Sequence, residues 1–288
     1  MAPTEPVIGG PLAAVELPDA EALVREAGWN QVAADWEIFQ ALGTVYAART
    51  GGRVVATAAT LPYGSFAWIS MVLVAGEQRR HGLGTALLKR CITEVVEQGR
   101  VPVLDATPAG RPIYRALGFE ETWGYYRLAR EEPRPSTRLA TFANPPVISP
   151  VTDSDWSALC AYDALAFGVD RSALLGRLRH RLPAAEWVAK RGDRIAGFLL
   201  GRNGRSASHI GPLIAEDEDT ACALLESALS AISGPIYGDF ADSKAALRAW
   251  LASRGFVAQR PLTRMLLGRT SGFDDEARTF AVVGPEFG

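Results

Sequence analysis

The stretch Met71–Arg90, MVLVAGEQRRHGLGTALLKR, leaves the chain few options. An apolar run ends at Val74, then Arg79, Arg80, Gly82 and Gly84 crowd one short loop. Beyond it Leu83, Leu87, Leu88, Cys91, Ile92, Val95 and Val96 recur at three and four residues. That change of period reads as strand, basic loop and helix, with Gly99 as the stop. The first turn of such a helix presents unpaired N–H groups and a partial positive charge, which suits a phosphate. Gly82 and Gly84 let an anion approach the backbone, Arg79 and Arg80 add forked donors, and Thr85 adds a hydroxyl. A loop whose glycines merely end a strand while its arginines face water would use the same letters.

Known phosphate motifs can be tested against this run. A P-loop requires a lysine after its second glycine, which "GLGTAL" lacks. A dinucleotide fingerprint would use Gly82, Gly84 and Asp105, but Leu87 stands at its third glycine and the loop from Val74 is too long for its tight turn.

With 288 residues, two domains are expected. "REEPRPSTRLATFANPP" is rich in proline and charge and lacks periodicity, so the boundary falls there: residues 1–130, a linker at 131–146, and 147–288. In the first half a Gly51-Gly52 turn joins two strands within Thr44–Leu61, and strands at "FAWISMVLV", "VPVLDA" and "GYYRLA" follow, with a short helix from Arg111 to Leu117. The second half repeats this order, from helices in Asp153–Arg181 to a strand at "LTRMLLG". "MAPTEPVIGG" reads as a loose leader without a signal core.

No apolar run approaches the roughly 18 residues a bilayer crossing needs. Cys91, Cys160 and Cys222 are odd in number and far apart, which fits a reducing cytoplasm rather than a disulfide framework. No cysteine–histidine spacing implies a metal. The net charge of −2 gives no general attraction to nucleic acid.

"VLVAGEQRRHGLGTALL" resembles the acyl-CoA loop of the GNAT family of N-acetyltransferases, Arg/Gln-x-x-Gly-x-Gly/Ala after a strand, matched by Arg79, Gly82 and Gly84. "TPAGRPIYRALGF" resembles the family's second motif, Asn-x-x-Ala-x-x-Leu-Tyr-x-x-x-Gly-Phe. Tyr114, Gly118 and Phe119 match it, while Thr107, Gly110 and Ile113 replace the asparagine, alanine and leucine. The resemblance implies an α/β (α+β) chain of two GNAT-like domains, each a mixed, largely antiparallel sheet flanked by helices.

It also implies roles. Acetyl-CoA would lie where the strand at Val72, Leu73 and Val74 splays from that at Val103–Asp105, its pantetheine arm paired with the free backbone of Val72 and Val74. Its pyrophosphate would rest on the loop from Arg79 through Arg80, His81, Gly82, Leu83 and Gly84 to Thr85, with no catalytic role for the His81 ring, and Thr107 on the pantetheine side. Tyr114 stands where the family places the tyrosine that protonates the departing thiolate; a helix tyrosine packed on the sheet is the alternative. No base is marked: Asp105, near the strand opening, reads rather as a strand-end aspartate capping the next turn, and ordered water with polar groups around it is the other proton acceptor.

"GWNQVAADW" lies where the family puts its two substrate-facing first helices. Trp29 and Tyr63 are wall candidates that would serve equally as core. In the second half, "HIGPLIAEDEDTACALL" sets acids where phosphate needs arginine and glycine, and Leu251 stands where Tyr114 stands in the first half. That half resembles a degenerate GNAT domain, with Asp163, Asp170 and Arg171 as polar acceptor-side candidates or as caps and surface groups.

The expectation is an acetyl-CoA-dependent N-acetyltransferase acting on a small-molecule amine or amino acid. It involves no metal, nucleic acid or membrane, and a homodimer is compatible with it. A protein N-terminus or lysine is the rival acceptor, and a non-catalytic acetyl-CoA sensor the rival class.

Overall fold

The computed structural model describes residues 6–132 and 146–288. Residues 133–145, most of the segment expected as a linker, lie outside the described residues. Contacts divide the chain into two compact units: the N-terminal residues through Leu104 with Phe287, and Asp105–Glu286 with Gly288. The division falls inside a strand rather than at the proline-rich segment.

The first unit runs β1 (Val7–Pro11), α1 (Leu17–Glu26), α2 (Ala33–Leu42), β2 (Thr44–Thr50), β3 (Arg53–Tyr63), β4 (Phe66–Val74), α3 (Leu83–Glu97) and most of β5 (Val101–Ala106). Its sheet order follows the chain from β1 to β5, antiparallel except for the β4–β5 pair. Gly51 and Gly52 both have positive φ (57° and 81°), as a two-residue hairpin turn requires. α3 turns Leu83, Leu87, Leu88, Cys91 and Val95 inward, and Gly99 at φ 69° ends the run. The leader expectation fails for Val7–Pro11, which pairs with β2 at the sheet edge. The exposed "VIGGP" has no alternation to announce a strand.

The second unit holds α4 (Arg111–Ala116), β6 (Phe119–Arg130), β7 (Val147–Pro150), α5 (Asp153–Phe167), α6 (Ser172–Leu178), β8 (Trp187–Arg191), β9 (Arg194–Arg202), β10 (Ser208–Ala215), α7 (Glu218–Ala231), β11 (Ile236–Ala241), α8 (Ala245–Ser253), β12 (Val257–Leu267) and β13 (Thr279–Val282). Its strand order is β12-β6-β11-β13-β10-β9-β8-β7, with β10 and β11 also paired directly. Leu224 and Leu225 of α7 and Leu247 and Leu251 of α8 join Ile210, Leu213, Ile236 and Phe240 in its core.

β6, from the first half of the sequence, is bonded along both edges by strands of the second half. It runs against β11 from Ile236↔Arg130 to Ala241↔Tyr125 and against β12 from Val257↔Ala129 to Leu267↔Phe119. The compact unit therefore reaches back to Asp105.

Candidate active site

In the first unit the parallel β4–β5 pairing ends at Trp68↔Val103, while β4 continues to Val74. On its other edge β4 stays paired with β3 through Ala56↔Val74. Between Thr57↔Leu73 and Ala59↔Ser70, Met71 and Val72 together oppose Ala58, a bulge at which Met71 has φ 52°. The buried Thr57 hydroxyl donates to the Met71 carbonyl at 2.8 Å, satisfying the bent backbone. Ala75 N–H donates to Val55 O on the β3 side. Because N–H groups alternate along a regular strand, that of Val74 faces the open edge, while Val72 lies in the bulge.

The expected loop follows that edge. Gly82 at φ 81° is the residue before α3 and no side chain caps the helix. The first bond of the helix is Ala86 N–H to Gly82 O, so the preceding N–H groups have no partner within it. A Cβ at Gly82 would meet nothing within 4 Å, whereas one at Gly84 would stand 3.3 Å from Val74 Cγ2. Arg80, His81 and Thr85 are exposed and Leu83 is buried. Arg79 departs from expectation: its Nε donates to Val74 O at 3.1 Å and its Nη2 pairs with Glu26 at 3.3 Å. The Val74 carbonyl thus already has a donor.

Two helix starts of opposite character result. α7 begins with Asp217, whose carboxylate accepts from Thr220 N–H at 2.8 Å, and Glu218 and Asp219 occupy its first turn. Its own carboxylate stands where an anion would be held. The strands beside it differ as well. β10 and β11 pair in parallel at Ser208↔Ile236 through Ile210↔Gly238 and then part, as β4 and β5 do, but β13 lies in the gap. β13 bonds to β10 at Leu213↔Ala281 and to β11 at Phe240↔Ala281. The second half closes its own cleft with its own strand.

Tyr114 belongs to the second unit. It is half-buried on α4, its ring packed edge-to-face with Phe119 at a centroid distance of 6.1 Å, and burial raises its phenol above the ordinary tyrosine range. A Cβ at Gly110 would lie 2.8 Å from Tyr114 Cε2, so glycine in place of the family's alanine leaves room for this ring position. Thr107 closes the turn before the helix: its hydroxyl accepts from Gly110 N–H at 3.3 Å and its carbonyl from Arg111 N–H at 3.0 Å.

Asp105 neither caps a turn nor faces solvent. Arg264 of β12 grips its buried carboxylate at 3.0 and 3.1 Å and also bonds Asp274, which accepts from Trp123 Nε1. Burial pushes the Asp105 carboxyl up against the pull of Arg264.

The acceptor-side candidates are separately engaged. Tyr63 donates its hydroxyl to Phe287 O at 2.8 Å, and Phe287 stacks on Phe39 with ring centroids 5.1 Å apart. Trp29 is half-buried between α1 and α2, so Gly28–Val32 is the connection and only Trp36 of that stretch lies well inside a helix. Arg171 holds Asp163 at 2.8 and 2.9 Å and donates to Gly288 O at 2.8 Å, all buried; exposed Asp170 accepts from Ser172 N–H. Gln31, two residues beyond Trp29, carries no motif that marks it in the sequence. It is 6% exposed, and its Oε1 has no partner among the described residues.

Residues 15–119 match the family model described as Acetyltransferase (GNAT) family, and residues 159–281 that described as Acetyltransferase (GNAT) domain. The chain belongs to the GNAT acetyltransferases. The two matches make this GNAT protein a tandem acyltransferase. It is 25% identical over 205 residues to the uncharacterized N-acetyltransferase YitH of Bacillus subtilis (strain 168), covering 71% of each chain. Its fold matches a putative acetyltransferase from Pyrococcus horikoshii with TM-score 0.78 and 19% identity, over 98% of this chain and 96% of the other. A tandem GNAT protein from the clavulanic acid biosynthesis pathway matches with TM-score 0.64 and 15% identity, over 93% and 99%. Among the described residues of this GNAT chain, no acid, histidine or cysteine cluster could hold a metal and no helix is long and apolar enough to cross a membrane.

Proposed function

We propose that the first half binds acetyl-CoA and transfers its acetyl group directly to the primary amine of a small molecule or amino acid, in the domain arrangement 1–130, linker 131–146 and 147–288. The observation that carries this reading is an uncapped helix start following an open β4 edge, both in the same unit. Bound acetyl-CoA supplies the acetyl group as a thioester. The N–H groups from Arg80 to Thr85 hold its pyrophosphate, and those of Val72 and Val74 orient the arm and polarise the carbonyl. Water takes the proton from the amine as nitrogen attacks. Tyr114 gives its proton to the sulfur as the C–S bond breaks, then regains one from solvent. Free Cys91, Cys160 and Cys222 accord with a cytoplasmic setting.

The second half, its cleft filled by β13 and its helix capped by Asp217, serves without an acyl donor of its own. Calorimetry should therefore give one acetyl-CoA per chain and none for Gly84→Glu. Two sites, or binding that survives this change, would refute the assignment. Thiol release from acetyl-CoA across amino acids, aminosugars, polyamines and lysine peptides separates small-molecule from protein acceptors. Release with none of them favours the sensor.

A further inference from the structure

We infer that Glu121 is a positioning residue for acyl transfer, setting the roll of α4 and with it the Tyr114 hydroxyl. This rests on the reading of Tyr114 as proton donor. α4 has six residues, far too few to hold a helix by its own bonds, so its orientation comes from what it touches. Arg111 and Arg115, four residues apart, project from one side of it. Both reach Glu121. Arg111 forks onto it at 3.0 and 2.9 Å, and Arg115 joins the same carboxylate at 2.5 Å. A forked guanidinium–carboxylate pair fixes angle as well as distance, and a second, more exposed arginine one turn on adds a further hold on the same carboxylate. Tyr114 lies between the two arginines in sequence, so turning the helix about this clamp swings the phenol. Glu121 is two residues from Phe119, whose buried ring packs edge-to-face with that of Tyr114. The same start of β6 thus holds both the helix and the ring, while Gly110 leaves the ring its space.

The test is kinetic, with acetyl-CoA and the acceptor that releases most thiol from a panel of amino acids, aminosugars and polyamines. Glu121→Ala is expected to lower kcat about 10-fold with the acetyl-CoA KM within about twofold, and Glu121→Gln, which keeps one acceptor oxygen, to lose less. The Glu121→Ala/Tyr114→Phe double variant should be no more than about twofold slower than Tyr114→Phe alone, because a misplaced donor and a missing donor are the same loss. If Tyr114→Phe is slow but both Glu121 variants turn over like wild type, the inference falls and the proton-donor reading stands. Losses that multiply place Glu121 elsewhere and also overturn it. Wild-type turnover by Tyr114→Phe removes the proton-donor role and this inference together. Should Glu121→Ala not fold, Glu121→Gln carries the same comparisons.

Discussion

Tyr114 is kept protonated by burial, which raises its phenol above the usual range of about 10. In its proposed role of proton donor it would be competent throughout neutral pH. Its contribution should be lost only as pH rises through the raised value, giving kcat a descending alkaline limb. Tyr114→Phe should slow turnover about 10- to 1000-fold, hold acetyl-CoA affinity within a few-fold and abolish that limb. A pH profile of kcat for both proteins decides it, and an unchanged limb in the variant would assign the limb to another group. That Tyr114 sits on a short helix was legible because its motif spacing is local, while the room that Gly110 leaves its ring was not. Asp105 was not: its partner Arg264 is 159 residues away, and no local pattern distinguishes a counter-ion from a cap. Asp163 and Arg171 were legible as polar, but their burial and mutual fork were not.

Among elements, the period of apolar residues located α3, α7 and most strands of both halves. Short strands without alternation escaped it: β1 is exposed along its edge, β7 has four residues, and β13 is four buried residues, "TFAV". The last omission mattered most. The letters of the second half explained the missing phosphate loop by its acids, but the structure adds that β13 takes the place between the parting strands. Gly211 makes room for it, since a Cβ there would stand 2.1 Å from Val282 O and its φ is +145°, a conformation L-residues rarely adopt. Gly211→Ala should then cost about 2 kcal/mol or more in denaturant unfolding, as backbone must move on both strands. A loss below about 0.5 kcal/mol would mean that β13 is not held at this point.

At the scale of the molecule, the element order predicted two similar halves, and each half carries a GNAT domain match. What the repeat could not reveal is that β6 pairs with neither neighbour in sequence. Strand periodicity fixes which face is buried and says little about which distant strand lies alongside. Two buried forked ion pairs mark the arrangement. Arg127 of β6 holds Asp239 of β11 at 3.0 and 2.6 Å, and Arg264 of β12 holds Asp105. Each takes one member from each half of the sequence, with opposite polarity, and a slipped register would strand two charges away from water at a cost of several kcal/mol. A fragment ending at Arg130 therefore leaves β6 with both edges bare and Asp105 and Arg127 without counter-ions. We expect residues 1–130 alone to show fast amide exchange throughout Phe119–Arg130 and no acceptor-dependent thiol release. Co-expressed with residues 147–288, the fragment should recover slow exchange in β6, a one-to-one complex and a single acetyl-CoA site, because the strands and ion pairs that complete β6 are supplied by the second chain. Wild-type turnover by the isolated fragment would show that the first half needs neither β11 nor β12 to set its motif.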